Sequence, residues 1–247
     1  MRGVTDPAAP VAPVTACDAA ALRRDFPIFE RTIHGHPLAY LDSASSAQKP
    51  RQVLEAMVQL YSTSYANVHR GVYTLAQEAT EAYEGAREKV RRLLNAPSTR
   101  EIVFTRDATE ALNLVAYAYG RANVGPGDVI VATEMEHHSN LVPWQVLARE
   151  TGATLRWLRI DPQGELVLDD LDEIARAGAV KLLAVVDQSN SLGTRNPVRQ
   201  LADWVHGQGG VIVVDGAQSV PHRRVDVQAL GCDFLAFSGH KLCGPSG

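Results

Sequence analysis

VKLLAVV (residues 180–186) and VIVVDGAQS (residues 211–219) decide the fold. Each opens on an apolar run in which polar residues do not alternate. A strand with one face in water alternates, whereas a strand covered on both faces does not. Residues 198–207, between the two runs, read as a helix. Continuous apolar strands separated by helices imply a sheet buried on both faces, hence a largely parallel α/β arrangement.

Outward from this pair the same alternation continues. On the N-terminal side, EIVFT (101–105) reads as a strand and ATEALNLVAYAYG (108–120) as a helix ended by its glycine. GPGD (125–128) is a turn that launches DVIVA (128–132). SNLVPWQVLARE (139–150) is helical, ATLRWLRI (153–160) a strand and LDDLDEIARA (168–177) a helix. Beyond the opening pair, DFLAFS (233–238) is another strand. Nearer the start, LAYLDSAS (38–45) reads as a short strand, Pro50 as a helix start, and residues 75–95 as an amphipathic helix. The expected fold is α/β, a mostly parallel sheet flanked by helices. Residues 1–21 are an Ala/Pro-rich tail in which Pro7, Pro10 and Pro13 interrupt any apolar helix, so a disordered tail is expected rather than a signal segment. Residues 22–247 form the globular part.

Composition excludes several classes. A net charge of -4, from 24 basic and 28 acidic residues without a basic run, gives no nucleic-acid surface. No stretch approaches eighteen apolar residues, so no membrane span is expected. Cys17, Cys232 and Cys243 are odd in number and lack CxxC spacing, which fits a reducing compartment better than a disulfide framework. P-loop, dinucleotide and nucleophile-elbow signatures are absent.

In such sheets ligands sit outside the carboxyl ends of the strands. There the sequence places Thr105 and Thr109, His137 and His138, Ser189 and Asn190, Asp215 and Gln218, and Ser238, His240 and Lys241. Asp215 follows four apolar residues; it either caps the following turn or pairs with a cation in a desolvated setting. Lys241, in SGHK, is either a solvated lysine or, at a desolvated strand end, a Schiff-base former. Ser238 and the amides around Gly239 suit an anion such as phosphate, as does the start of the ATE helix with Thr109. A carboxylate for a pyridinium, a Schiff-base lysine and phosphate-holding hydroxyls describe a site for pyridoxal 5'-phosphate. His138 suits stacking on its ring, and Asn190 and Gln218 suit the ring substituents. No third ligand accompanies His137 and His138 at a metal-binding spacing, so no metal is expected.

These residues lie in longer runs that resemble the group II (SufS-like) cysteine desulfurases of the class V aminotransferase family. The runs are DFPIF (25–29), YLDSASSAQKP (40–50), YANVHRGVYTLAQEATEAYEGAR (65–87), EIVFTRDATEALNLVA (101–116), EMEHHSNLVPWQ (134–145), SNSLGTRNP (189–197), VDGAQSVPH (214–222) and DVQALGCDFLAFSGHKLCGPSG (226–247). The resemblance implies a fold-type I pyridoxal phosphate enzyme, usually a homodimer and cytoplasmic. It implies Lys241 as the catalytic Schiff-base lysine, Asp215 as partner of the pyridinium and His138 as the stacking residue. It further implies Asn190 and Gln218 at the ring substituents and Ala108, Thr109, Ser238 and His240 at the phosphate. His69 and Arg70 would lie near the substrate entrance. Family members convert L-cysteine to L-alanine and pass sulfur as a persulfide to an acceptor protein of iron–sulfur cluster assembly.

The resemblance also implies further chain after the lysine, with the persulfide-forming cysteine, an arginine for the substrate carboxylate and a phosphate contact across the dimer. On that expectation the 247 residues are an N-terminal fragment without the C-terminal domain, inactive alone. A selenocysteine lyase or another class V lyase, and a non-catalytic truncated paralogue, are the alternative readings. Three positions depart from the family pattern: Asp107 for a usual glycine, Asp187 for a usual histidine, and Cys243 for a common aromatic residue. A carboxylate at 107 repels a phosphate unless it points away.

Overall fold

The computed structural model describes residues 18–246. Of the expected tail, residues 1–17 lie outside these. Asp18 opens the first helix, α1 (Ala19–Arg23), by accepting from the backbone N–H groups of Ala20 and Ala21. A minimal hairpin follows, β1 (Thr32–Ile33) and β2 (His36–Pro37). Its turn residues His34 and Gly35 have φ of 51° and 80°, the left-handed pair that matches strand twist. Helices α2 (Arg51–Gln59) and α3 (Thr74–Leu94) complete the N-terminal part, and Asn95 ends α3 in the left-handed conformation.

Helix α4 (Ala108–Val115) does not stop at Gly120. It continues through a widened turn, residues 116–120, into α5 (Arg121–Asn123). Gly120 has helical φ, and a Cβ there would stand 2.4 Å from Leu147 Cδ2. The glycine is therefore used for close packing and not as a helix stop.

The core alternates as expected: β3 (Asp128–Thr133), α6 (Val142–Thr151), β4 (Thr154–Leu158), α7 (Asp170–Arg176), β5 (Ala179–Val186), α8 (Val198–Gly207) and β6 (Val211–Asp215). Two short helices, α9 (Ser219–His222) and α10 (Val227–Leu230), lead to β7 (Phe234–Ala236). All five strands are parallel, in the order β4-β3-β5-β6-β7. Both faces are covered, as the unbroken apolar runs demand. Val131, Val185 and Val214 pack with Leu171, Leu201 and Val205 on one face; Ile130, Leu182 and Val213 pack with Leu112, Trp144 and Leu147 on the other. Each such fully buried aliphatic side chain contributes about 1.5–3 kcal/mol.

Two expected strands are not in the sheet. LAYLDSAS forms no ladder, because its backbone is engaged elsewhere: Ser45 N–H bonds to Asp42 O, and Ala44 O accepts from Gln218 Nε2 at 2.8 Å. EIVFT begins as a 3-10 turn (Thr99–Glu101) and then runs without a ladder partner among the described residues. Ile102, Phe104, Leu235 and Phe237 instead line a cavity of about 560 Å³ beside β7. Apolar β-formers make a strand only where a neighbour accepts their backbone hydrogen bonds.

The chain order reverses between β3 and β5: β4 lies on one side of β3, and the chain then crosses to the other side for β5. Such a switch opens a crevice at the carboxyl ends of the strands.

Candidate functional site

A cavity of about 520 Å³ occupies that end of the sheet. Each element brings one or two groups to it. The loop after β3 brings His137 and Ser139, the end of β5 brings Val186 and Asn190, β6 brings Asp215 and Gln218, and the turn after β7 brings Ser238, His240 and Lys241. The first turn of α4 adds Ala108 and Thr109, and the 40–50 segment adds Asp42 and Ser45.

Asp215 is 2% exposed, and its Oδ1 accepts from Ala217 N–H at 2.9 Å. Burial pushes its carboxyl above the usual range, while the Ala217 amide and the positive charges of Lys241 and His137 pull it down. Ser238, 4% exposed, accepts from Ala108 N–H at 3.0 Å and so fastens the start of α4 to the lysine turn. Burial and the charges of Lys241 and Lys49 hold His240 below the usual histidine range, partly offset by Asp107. Its Nδ1 is 3.1 Å from Ser46 Oγ.

The 40–50 segment is a strap across this turn. Gln218 Nε2 donates to Ala44 O at 2.8 Å, and Lys49 Nζ donates to Ala47 O at 2.6 Å and to His240 O at 2.9 Å. Sequence reasoning missed Lys49 and Ser46 as supports. Their partners lie 191 and 194 positions away, so no local pattern reports them.

Eight of the expected residues meet at the cavity: Ala108, Thr109, Asn190, Asp215, Gln218, Ser238, His240 and Lys241. Three do not. His137 lines the wall and His138, the expected stacking residue, does not; the two rings are 6.0 Å apart and tilted by 60°. His137 is held by Ser139, whose Oγ lies 2.7 Å from its Nδ1. His69 and Arg70 are also outside the lining. His69, at φ 71°, is turned toward α3, where its ring meets Tyr83 edge-on and its Nε2 pairs with Glu84 at 3.4 Å. A local motif shows that two histidines are adjacent but not which one a loop turns inward.

The departures acquire partners. Asp107 is among the residues that line the cavity, and its Oδ1 accepts from Glu110 N–H at 2.8 Å, capping α4. Asp187, 1% exposed, pairs with Arg223. Cys243 adopts a φ of 59° just beyond the lysine turn. Burial raises the Cys232 thiol to about 11, so at neutral pH it is a packed, unreactive group.

A parallel sheet with a lysine turn, a buried carboxylate and a helix start around one crevice defines an enzyme that works on a phosphorylated cofactor held at its strand ends. The chain belongs to the class-V aminotransferase family, whose profile matches residues 39–247. That family is pyridoxal-phosphate-dependent. The chain is 51% identical over 230 residues to a probable cysteine desulfurase of Halalkalibacterium halodurans, covering 93% of this chain and 56% of that protein. It is 51% identical to a cysteine desulfurase of Klebsiella pneumoniae, with 92% and 55% covered. Among solved structures, the apo cysteine desulfurase of Thermococcus onnurineus superposes with a TM-score of 0.86 at 40% identity, covering 94% of this chain and 56% of that one. The Escherichia coli cysteine desulfurase CsdA gives 0.83 at 43% identity, covering 94% and 57%. The chain thus spans about half the length of the curated relatives it matches.

Proposed function

We propose that this chain forms the pyridoxal-phosphate-binding part of a cysteine desulfurase that converts L-cysteine to L-alanine. The observation that carries the reading is the placing of Lys241 and the buried Asp215 on one cavity wall with the start of α4. The donor set fits the cofactor. Asp215 would hold a proton at the ring nitrogen, Asn190 and Gln218 would contact the ring substituents, and His137 would cover a ring face. Thr109 and Ser238 would hold the phosphate. The N–H of Thr109 belongs to a first helical turn that has no intrahelical acceptor. When bound, the cofactor supplies an electron-accepting ring.

Lys241 has two tasks in this reading. Its Nζ would anchor the cofactor, and as a free amine it would take the proton from the substrate α-carbon. Ser238 and the strap hold the lysine turn while this happens. The substrate sulfur passes to a protein thiolate; the unreactive state of Cys232 argues against that residue as the acceptor.

The motif runs support the group II (SufS-like) branch, delivery of sulfur to an iron–sulfur assembly protein, and a cytoplasmic setting. Among the described residues no helix is long and apolar enough to cross a membrane. The homodimer finds support in exposed apolar side chains of the N-terminal part, among them Leu41 at 95% and Val72 at 96%. The domain division, with 22–247 as N-terminal segment plus cofactor domain, belongs to the same proposal.

Asp107 favours a second reading, a non-catalytic relative, because it brings a carboxylate to the start of α4, beside the proposed phosphate position. One experiment separates the two. Purified chain is mixed with pyridoxal phosphate, and its visible absorption is recorded with and without L-cysteine, beside Lys241→Ala. The enzyme reading expects a lysine-dependent band that L-cysteine perturbs. Folded protein without such a band refutes it.

A further inference from the structure

Glu136 is wired in a way that the cavity wall leaves unexplained. It precedes His137 in the loop after β3, and both of its oxygens are taken. Oε1 accepts from Val186 N–H at 2.8 Å and lies 2.6 Å from Thr133 Oγ1; Oε2 accepts from Asn140 Nδ2 at 2.5 Å. Asn140 Oδ1 in turn accepts from the indole N–H of Trp144 at 3.0 Å. Asn140 and Trp144 are fully buried and Thr133 is 1% exposed.

The position of this side chain has a topological cause. The β3–β5 ladder ends at the pair Ala132–Ala184, where the two strands part at the switch of chain order. Val186 is still in register with Asp215 on β6, but β3 no longer runs beside it. Its N–H therefore lacks a strand carbonyl, and Glu136 Oε1 serves instead.

The polarity of the chain of hydrogen bonds is fixed at both ends. An indole N–H only donates, so Asn140 must turn its oxygen to Trp144 and its NH₂ to residue 136. A backbone N–H only donates, so residue 136 must accept from Val186 too. Residue 136 must then accept at both tips, which a carboxylate does and an amide cannot.

We infer that Glu136 is a positioning residue: its carboxylate bridges the split between β3 and β5 and thereby sets where His137 stands opposite Asp215. The consequence for cofactor binding rests on the function proposed above; the bridge itself does not. A proton on Glu136 has one place left, between Oε1 and Thr133 Oγ1. Burial raises the carboxyl to about 8 against the pull of its three donors, and the negative charge of Asp215 adds to the rise. Asp215, on β6, is the charged group that acts on Glu136, and Asp215 itself feels Lys241 from the lysine turn and His137 from the loop after β3.

The test uses cofactor-free protein first. The indole N–H resonances of the three tryptophans are followed by NMR from pH 5 to 10, with Trp144 assigned through Trp144→Phe. The Trp144 resonance should move in one step with a midpoint near 8, and the Val186 amide should be protected from exchange. Glu136→Gln should abolish the step, break the bond at one tip so that either Val186 N–H is exposed or the Trp144 resonance is displaced, and weaken pyridoxal phosphate binding about tenfold or more, the scale of a lost charge-assisted bond. A Glu136→Gln protein with native Trp144 and Val186 signals overturns the inference.

If that variant does not fold, the Trp144→Phe/Glu136→Gln pair decides. Without the indole donor Asn140 can turn over and give its oxygen to the glutamine NH₂. Recovery of folding in the pair supports the bridge, and failure to recover overturns it. Native protein with these apo signals but no cofactor binding would sink the proposed function and leave the bridge standing.

Discussion

Arg223→Met should be among the most damaging substitutions outside the cavity. Asp187 is 1% exposed, and its side chain has no partner but Arg223 among the described residues. Asp187 also carries main-chain structure: its N–H donates to Asp215 O at 2.9 Å, and its carbonyl accepts from Asn196 N–H at 3.0 Å. The backbone therefore holds the carboxylate in place when the arginine goes. Breaking one side of a buried pair costs about 3–5 kcal/mol, because the remaining charge is neither hydrated nor matched. Against a typical total of about 5–15 kcal/mol, that is about a fifth or more of the stability. Urea unfolding should show a midpoint lower by about 1 M or more, given slopes of about 1–3 kcal/mol per M. Asp187→Leu/Arg223→Met should recover most of the loss, since apolar replacements of a buried pair are near neutral. A single-variant cost below about 1 kcal/mol, or a double variant no better than the single, would refute the reasoning.

Asp107→Asn keeps a capping side chain on α4 and removes the charge beside the proposed phosphate position, so pyridoxal phosphate should bind several-fold more tightly with little change in melting temperature. Unchanged or weaker binding, read by fluorescence titration, would mean that the phosphate lies elsewhere. Gly120→Ala places a Cβ against Leu147 Cδ2 and should cost about 1–3 kcal/mol in chemical denaturation, although alanine is the better helix former. In a Cys17→Ser/Cys243→Ser background, Cys232 should resist iodoacetamide at pH 7. Its labelling rate should climb as the pH approaches 11, where the thiol ionises; fast labelling at pH 7 would show that it is not held neutral.

The sheet was legible because its strands are unusually plain. VKLLAVV and VIVVD are β5 and β6 to within a residue, and residues 198–207 are α8 without adjustment. A strand buried on both faces must be apolar at every position, which a sequence displays directly. The residues of the site were legible for a related reason: Asp215 ends a strand, Asn190, His240 and Lys241 each follow one, and the ends of parallel strands gather on one side.

What sequence could not decide depended on partners far along the chain. EIVFT has the composition of a strand but no neighbour to pair with among the described residues. LAYLDSAS became part of a strap because Gln218 engages Ala44 and His240 engages the adjoining Ser46, from 174 and 194 positions away. Whether His137 or His138 faces the cavity follows from how the loop after β3 is tethered, here by Glu136 and Ser139, and whether Asp107 caps a helix or turns aside follows from its bond to the Glu110 amide. Periodicity records how each residue divides between core and water, so the sequence by itself determined the layers of this protein and the side on which its chemistry gathers. Orientation within the site is set by single hydrogen bonds between distant residues, and those exist only once the tertiary structure has formed.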